Sequence, residues 1–219
     1  MPARLADLLA GLENLIINDE RAAEHDRIGR EAQEMDTKRQ RAERLARQDL
    51  ELTSDVHPKV IANTGMIQGV SLRAVQRWLS RPDLKPTLII VGAPGCGKSV
   101  ACAWAVANFT GVSCWYSAKE VVRVFSQHFG DASAKARTRA QRAQLTVIDD
   151  VSTEDDPVRM CSSLVEILES RKQRLTLITT NQTQEDWEKR FPDVRLHSRL
   201  AQQAIFVADP GPDLRMQKV

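Results

Sequence analysis

Residues 92–99 read GAPGCGKS, a combination of residue types that can bind phosphate groups. Glycines let backbone N–H groups turn toward an anion, a lysine can reach the terminal phosphates, and a serine hydroxyl can be a magnesium ligand. The segment stands between an apolar run typical of a buried strand and a run of helix formers, as such a loop requires. The simpler alternative is a glycine turn with an incidental lysine. The residues expected to surround the phosphates of a nucleotide are Gly92, Ala93, Pro94, Gly95, Cys96, Gly97, Lys98, Ser99 and Val100.

Two acidic residues follow another apolar run, residues 145–148. Hydrolysis of a bound nucleotide needs one acid to hold magnesium and another group to position water. We therefore assign Asp149, together with Ser99, to magnesium and Asp150 to the attacking water. The alternative is a strand that simply ends in acidic turn residues. Many ATPases with this loop have glutamate at the second place, and because aspartate is one methylene shorter, we expect slow hydrolysis.

A third polar position, Asn181, follows the apolar run 175–179. Ligands of open parallel sheets bind at the carboxyl ends of the strands, where Asn181, Asp149 and Gly92 would all lie. An amide at this place can contact the γ-phosphate or the attacking water. The alternative is a plain turn before the next helix. We assign the sensing role to Asn181 and the helix cap to Thr183.

Short apolar runs alternate with helical patterns in the later part of the chain. The candidate strands are residues 87–91, 112–116, 145–148, 175–179 and 204–207, and the helical stretches follow Lys98, Ser117, Pro157 and Thr183. Strands separated by helices predict an α/β fold, in which a parallel sheet has helices on both faces. Ser71 is expected to be the N-cap of a helix that precedes the first strand.

The first part of the chain has a different pattern. Residues 5–16 place apolar side chains on one face of a predicted helix, and residues 19–52 are charged and rich in alanine. Turn-forming residues then mark a boundary. We divide the chain into a helical partner-binding extension, residues 1–55, and a core domain, residues 56–219; the open alternative is that the extension packs on its own domain or forms a weak coiled coil. The residues expected to contact the partner are Leu5, Leu8, Leu9 and Leu12.

The composition limits the remaining classes of function. The net charge is +2, and the excess of basic residues lies after His57, which permits binding to nucleic acid without requiring it. The four cysteines have neither the spacing of a zinc site nor the density of a disulfide-rich secreted protein, so we expect reduced thiols. No apolar run approaches the length of a membrane span and the N-terminus lacks a signal core, so we expect a cytoplasmic protein.

The order of the motifs GAPGCGKS, VIDD, TTN and VRLHSRLAQ resembles that of AAA+ ATPases, and within them the DnaC/IstB-like group near the initiator DnaA. The resemblance covers about residues 60–215. It implies a P-loop NTPase of the ASCE class with a five-stranded parallel sheet flanked by helices, ATP and Mg²⁺ as ligands, and no C-terminal helical lid. It also implies that Arg199 acts in trans on a neighbouring subunit's nucleotide, so that activity needs a homo-oligomer. The alternative for Arg199 is an ordinary surface ion pair; Arg215 weakly matches a second sensor arginine.

The same resemblance places a DNA-binding helical insertion between the second strand and VIDD. Residues 117–144 contain several basic side chains, and residues 135–142 include no aromatic one, so binding would be directed at the backbone of single-stranded DNA. A solvated basic helix is the alternative. The residues expected to contact DNA are Lys119, Arg123, Lys135, Arg137 and Arg139.

Three functions are compatible with this series of motifs. The resemblance favours an ATP-dependent loader of a replicative DNA helicase, which the N-terminal helix would bind while the core oligomerises on single-stranded DNA. An IstB-like transposition helper, which assembles on double-stranded DNA and recruits a transposase, shares every core motif. The third is a nucleotide-dependent adaptor that does not hydrolyse ATP, which the short side chain of Asp150 keeps open.

Overall fold

The structure is a computed structural model, and it describes residues 27, 29–31, 69–81, 83–126, 131–153 and 155–214. The chain divides into two compact units, residues 1–44 and 45–219. In the first unit, the described residues are helical and exposed. The predicted boundary at residue 55 lies outside the described residues, as does the predicted partner-binding face of Leu5, Leu8, Leu9 and Leu12. All elements named below belong to the second unit.

The second unit alternates strands and helices. Its strands are β1 (Thr87–Gly92), β2 (Ser113–Ser117), β3 (Leu145–Asp149), β4 (Leu175–Thr180) and β5 (Ala204–Asp209). Its helices are α1 (Val70–Leu79), α2 (Lys98–Asn108), α3 (Ala118–Ser126), α4 (Asp131–Arg142), α5 (Pro157–Ser170), α6 (Gln184–Arg190) and α7 (Val194–Gln203), with a 3₁₀ turn at Val151–Thr153. The five predicted strands are confirmed, with bounds that differ from the predicted ones by at most two residues. No helix in the described residues is long and apolar enough to span a membrane.

All five strands are parallel, in the order β2-β3-β4-β1-β5. The strand β4 therefore lies between β1, which leads into the GAPGCGKS loop, and β3, which leads into the two aspartates. Register pairs Val91 with Thr180 and Gly92 with Asp209, so the strands end side by side. We call this side of the sheet the carboxyl edge, and the side where Leu145 and Leu175 begin their strands the amino edge.

Alternating side chains of the strands fill two cores, one on each face of the sheet. Ile89, Ile148 and Ile178 point into a core that includes residues of α3, α5 and α7. Leu88 and Leu177 point to the opposite face, which packs against α1 and α2. A sheet buried on both faces needs apolar residues at successive positions, which explains the continuous apolar runs. The predicted fold class, a P-loop NTPase with a five-stranded parallel sheet flanked by helices, is confirmed.

The start of α1 differs from the prediction. The helix begins at Val70 after Gly69, which makes no side-chain cap, so the expectation that Ser71 is the N-cap is wrong. Instead, the backbone N–H of Ser71 donates to the Asp209 carboxylate at 2.9 Å, and its hydroxyl donates to the same oxygen. Asp209 is 4% exposed and ends β5. A carboxylate from a distant strand thus satisfies helix-start donors that a local cap would otherwise satisfy.

All four cysteines are unpaired thiols with buried side chains. Burial raises the pKa of Cys102 and of Cys114. Because a thiolate is the reactive form, these two positions are chemically quiet and behave as small apolar residues of the core. The expectation of reduced thiols agrees with this arrangement.

Candidate nucleotide-binding site

The loop between β1 and α2 needs glycine at three of its positions. Gly95 has a φ of +85° and Gly97 a φ of +102°, where other residues are strained. A side chain at Gly95 would also lie 1.8 Å from a carboxylate oxygen of Asp213. At Gly92 it would lie 2.8 Å both from the carbonyl oxygen of Asp209 and from the sulfur of Cys96. The loop is therefore closely packed against the segment that follows β5.

Lys98, the first residue of α2, lies at the centre of the polar contacts. Its side chain is 7% exposed. The Nζ atom donates to the carbonyl oxygens of Gly92 (2.7 Å) and Ala93 (2.9 Å) and to Oδ1 of Asn181 (2.8 Å). The last contact links the loop that follows β1 to the end of β4. The strands β1 and β4 are neighbours in the sheet. The ammonium group thus lies at the carboxyl edge, where the sequence predicts bound phosphates.

Asp149 is surrounded by hydroxyl groups at the end of β3. Its Oδ1 accepts hydrogen bonds from Ser99 Oγ at 3.2 Å and from Thr179 Oγ1 at 2.5 Å. Burial raises the pKa of Asp149, whereas the hydrogen bonds from Thr179 and Ser99 lower it. The neighbouring hydroxyl and carboxylate oxygens belong to the ligand class that magnesium prefers. The side chains present therefore fit the ion that the sequence predicts.

Asp150 turns away from the strand direction with a φ of +61°, an uncommon value for a residue with a side chain. Its N–H donates to Thr179 Oγ1 at 2.8 Å. Its Oδ1 accepts from Asn181 Nδ2 and from Ser152 Oγ, both at 3.2 Å. The N–H of Asn181 in turn donates to Ser152 Oγ at 3.0 Å. Asn181 therefore connects Lys98 with Asp150 through the two ends of one amide group.

Two residues of this cluster, Thr179 and Ser152, were not predicted from the sequence to be part of the site. Thr179 was included only as the last position of a strand, although it contacts both aspartates. A hydroxyl at the carboxyl end of a buried strand is the signal that could have identified it. The signal becomes specific only with the strand order, because β4 must neighbour β3 for the contact to form.

Other predicted residues occupy varied positions around the loop. Pro94 is exposed, whereas the side chain of Cys96 is buried, with its sulfur 4.0 Å from Lys98 Nζ. Thr183 caps α6 as predicted, since its Oγ1 accepts from the Asp186 N–H at 3.2 Å. The remaining loop residues, Ser99 and Val100, lie in the first turn of α2.

Of the two predicted arginines, Arg199 is not part of the described cluster. Arg199 lies on α7, is 30% exposed, and contacts Glu169 near the end of α5 at 3.2 Å. Arg215 lies outside the described residues. The residues before it are at the loop, because the Leu214 N–H donates to the Gly95 carbonyl at 3.0 Å.

The predicted DNA-contacting residues fall on two helices. Lys119 and Arg123 are exposed on α3, and Lys135 is exposed on α4. Arg139 is half-buried on α4. Arg137 has internal contacts: it donates to the Phe125 carbonyl at 2.7 Å, lies over the Phe125 ring and pairs with Glu166 at 3.5 Å.

Several solved structures share this fold. The replication initiator DnaA bound to AMPPCP and single-stranded DNA matches with a TM-score of 0.57 and 18% identity, over 71% of this chain and 51% of that one. The DnaC helicase loader matches with a TM-score of 0.55 and 18% identity, over 68% and 96%. DnaI matches with a TM-score of 0.54 and 14% identity, over 72% and 96%. This chain thus spans about half the length of the initiators it matches, 48% for a DNA replication initiation factor and 51% for DnaA.

At these identities the likeness is one of fold. No curated protein matches the chain. The family model of the IstB-like ATP binding protein matches residues 8–209, which is most of the chain and includes the loop, both aspartates and Asn181. The chain therefore belongs to the IstB-like family of ATP-binding proteins.

Proposed function

We propose that this protein binds ATP with magnesium at the carboxyl edge and hydrolyses it to control its own assembly on DNA. The observation that carries the proposal is the connection from Lys98 through Asn181 to Asp150. A lysine that would contact the terminal phosphate is joined by one amide to an acid that would face the attacking water. Such a connection lets the occupancy of the loop influence the position of the acid.

The binding roles follow from the loop geometry. The backbone N–H groups between Gly92 and Lys98 would surround the phosphates, and the Lys98 ammonium would contact the β- and γ-phosphate oxygens. Ser99 Oγ and the Asp149 carboxylate would hold magnesium, which, when bound, neutralises charge on the phosphate oxygens. Thr179 would orient Asp149 for this role through its hydrogen bond to Oδ1.

The hydrolytic roles belong to Asp150 and Asn181. Asp150 would accept a hydrogen bond from the attacking water and so orient it, and Asn181 would contact the water or the γ-phosphate. Ser152 would hold both residues in place, because its hydroxyl bonds to the Asp150 carboxylate and to the Asn181 N–H. Arg199, supplied by a neighbouring copy, would stabilise the charge that develops on the transferred phosphoryl group, which makes hydrolysis dependent on assembly.

We propose that the assembly serves to load a replicative DNA helicase. The fold likeness to the DnaC helicase loader and to DnaI, each matched over 96% of its length, supports this choice. The helicase would bind the apolar face of Leu5, Leu8, Leu9 and Leu12, and the core would hold DNA.

A second candidate is a transposition helper that assembles on double-stranded DNA and recruits a transposase. The observation that favours it is the family match itself, which is to the IstB-like ATP binding protein and covers residues 8–209. The nucleotide site would have the same parts in both cases. The two candidates differ in the protein that is recruited and in the form of DNA that is bound.

Hydrolysis is tested with Asp150→Asn and Arg199→Ala, measured as ATP turnover with DNA present. Both variants should bind ATP like the wild type. Turnover should fall by about a thousandfold in Arg199→Ala and by at least about a hundredfold in Asp150→Asn. Asp131→Asn, an exposed carboxylate at the start of α4, is the matched control. A wild-type protein that binds ATP, assembles on DNA and still shows no turnover would contradict the hydrolytic role and support the adaptor.

The partner is tested by capture from the native host with the ATP-bound protein. A replicative helicase should co-purify and should be lost when Leu8 and Leu12 are replaced by serine or when residues 1–52 are deleted, with ATP binding retained in both cases. Capture of a transposase would support the second candidate. Retention of the helicase by the deletion variant would contradict the role of the extension.

A further inference from the structure

We propose that Asp209 is a positioning residue of the nucleotide site, which holds the phosphate loop, residues 92–99, in shape and so slows the release of ATP. Asp209 belongs to none of the four sequence motifs, and it would act on the nucleotide through the loop rather than by contact. The inference rests on the proposed function in one respect, the binding of ATP.

The Asp209 carboxylate accepts hydrogen bonds from two separate segments of the chain. It ends β5 and is 4% exposed. Its Oδ2 accepts from the Ser71 N–H at 2.9 Å and from the Ser71 hydroxyl, and its Oδ1 accepts from the Gly211 N–H at 2.9 Å. These three donors are uncharged groups. One buried carboxylate therefore joins the start of α1 to the segment that follows β5.

Two glycines let the backbone approach Asp209 closely. A Cβ atom at Gly92 would lie 2.8 Å from the carbonyl oxygen of Asp209 and 3.2 Å from its Cβ. A Cβ atom at Gly211 would lie 2.8 Å from Oδ1. The start of α1 also lies beside the loop, because a Cβ atom at Gly69 would lie 3.7 Å from the Cys96 carbonyl oxygen. Asp209 is thus at the place where the loop, α1 and the segment after β5 meet.

The segment after Asp209 reaches the phosphate loop, and we call its residues, 210–214, the strap. Pro210 and Pro212 have a fixed φ and no backbone N–H, so Gly211 supplies the one N–H donor of residues 210–212. Its bond to Asp209 spans two residues, the arrangement by which an aspartate stabilises a turn. The Leu214 N–H then donates to the Gly95 carbonyl at 3.0 Å. Asp209 therefore stabilises the turn that brings the strap to the loop.

The bond from the strap orients one peptide group of the loop. Because a peptide is planar and trans, the Gly95 carbonyl and the Cys96 N–H point in opposite directions. The strap holds the carbonyl. The N–H donates to the Ala93 carbonyl at 3.4 Å, which is longer than an ordinary N–H···O bond, and Lys98 Nζ donates to the same oxygen. The N–H and the ammonium group thus point to one place, where a phosphate oxygen could replace the weak partner.

The side chain of Cys96 lies between Asp209 and Lys98. It is buried, with its sulfur 4.0 Å from Lys98 Nζ. Burial raises the pKa of the Cys96 thiol, while the nearby charges of Lys98 and Asp209 act on it in opposite directions. A buried thiol packs like a small apolar side chain. A shift of Asp209 would therefore reach Lys98 through packing as well as through the strap.

The expected effect of Asp209 is on the time for which the nucleotide stays bound. A loop that is already in shape loses less conformational freedom when phosphates bind, so it holds them more tightly. Without the carboxylate, the Gly211 N–H and the two Ser71 donors lose their buried acceptor, and the strap is no longer joined to α1. Differences in affinity between variants of one site arise mostly from dissociation rates, so ATP should leave faster.

The test measures how fast a fluorescent ATP analogue leaves the full chain when excess ATP is added in a stopped-flow instrument, with magnesium present. Asp209→Asn keeps the size of the side chain but replaces one acceptor oxygen with a donor. Release should become at least about tenfold faster, while the association rate should change less than about twofold. In turnover measurements, KM for ATP should rise and kcat should change less than about twofold, unlike in Asp150→Asn.

A second variant disturbs the same contact from the strap. Gly211→Ala places a methyl group 2.8 Å from Asp209 Oδ1, and the φ of Gly211 is not in the left-handed region, so the backbone accepts the side chain. Release should become about threefold faster. The matched control is Gly111→Ala, which crowds the Gln144 side chain instead and should release ATP like the wild type.

Two further controls separate positioning from overall stability. Asp156 also accepts an N–H bond at a helix start, at 3.0 Å, but it caps α5, so Asp156→Asn should release ATP like the wild type. Arg171 is 2% exposed at the amino edge and donates to the carbonyl oxygens of Ala143 at 2.8 Å and Leu175 at 2.6 Å. Arg171→Met should destabilise the domain and still release ATP within about twofold of the wild-type rate.

Each contrary result would overturn the inference in a distinct way. Wild-type release rates in both Asp209→Asn and Gly211→Ala would overturn the positioning role alone. Equal acceleration in Arg171→Met would show that release follows overall stability. Slower release in Asp209→Asn would mean that the carboxylate repels the nucleotide instead of holding the loop for it. A wild type that binds no ATP would overturn the inference together with the proposed function.

Discussion

The carboxyl edge and the amino edge of the sheet both gather polar side chains where strands end, but they are built differently. At the carboxyl edge, Lys98 of α2 contacts Asn181 after β4, Asn181 contacts Asp150, and Thr179 bonds to both Asp150 and Asp149. At the amino edge, one buried guanidinium, that of Arg171, joins α4 to β4 and the other cations remain at the surface. The first edge mixes charges of both signs, whereas the charged residues that line two surface clefts at the second edge are, among the described residues, all basic: Lys135, Arg139, Arg142 and Arg174.

This difference separates two kinds of arrangement. At the carboxyl edge, converging groups of both signs hold one another, as a small ligand with concentrated charge requires. At the amino edge, cations lie at the surface on a support that Arg171 holds. Substitutions at the carboxyl edge should therefore change ligand affinity, whereas the loss of Arg171 at the amino edge should change stability.

The largest expected effect is on the support of the amino edge. Arg171→Met leaves several buried acceptors without a donor and should lower the free energy of unfolding by about 3 kcal/mol. Urea denaturation measures the change, and Lys172→Met, at the exposed neighbouring position, should alter stability by less than about 0.5 kcal/mol. Equal stabilities of the two variants would show that Arg171 does not hold α4 to β4.

The next effect is on the carboxyl edge. Lys98→Ala removes the cation that would contact the phosphates and should weaken ATP binding by about a hundredfold, or about 2.7 kcal/mol. Titration with a fluorescent ATP analogue measures it. Lys189→Ala on α6, where the lysine is 68% exposed, is the control and should bind ATP like the wild type. An unchanged ATP affinity in Lys98→Ala would contradict the assignment of this lysine to the phosphates.

The smallest effect sharpens the account of the carboxyl edge. Thr179→Val removes the hydroxyl that donates to Asp149 and accepts from the Asp150 N–H. The affinity for ATP with magnesium should fall by about tenfold, while ATP binding without magnesium should change little. Thr179→Ser keeps the hydroxyl and should restore most of the affinity. An equal loss with and without magnesium would indicate that Thr179 only supports the fold.

Most of the fold and part of the candidate site could be predicted from the sequence, because both depend on contiguous patterns. The five strands were predicted to within two residues, since a sheet covered on both faces requires continuous apolar runs. The phosphate loop could be recognised because its glycines and Lys98 are adjacent in the chain. Asp149 and Asn181 were placed beside it by the rule that parallel strands end at one edge.

The rest of the fold and of the site depends on contacts between distant segments of the chain. Neither the composition nor the spacing of residues shows which segments meet. Ser71 was expected to cap α1 locally, but its donors are satisfied by Asp209, 138 residues away. Thr179 acquires its role only because β4 lies beside β3. Arg174 faces the end of α4 because Arg171 fastens the two elements, and this arrangement follows from the folded chain rather than from the basic run itself.

The burial of all four native thiols makes this chain suitable for site-specific labelling. A cysteine introduced at Val112, which is 59% exposed and lines the larger cleft, should be the dominant target of a maleimide dye. A second labelling position is Val194, which is 81% exposed at the start of α7, toward the carboxyl edge. Dyes at the two positions would report separately on the two edges, so a stopped-flow experiment with ATP could show whether a change at the carboxyl edge reaches the amino edge.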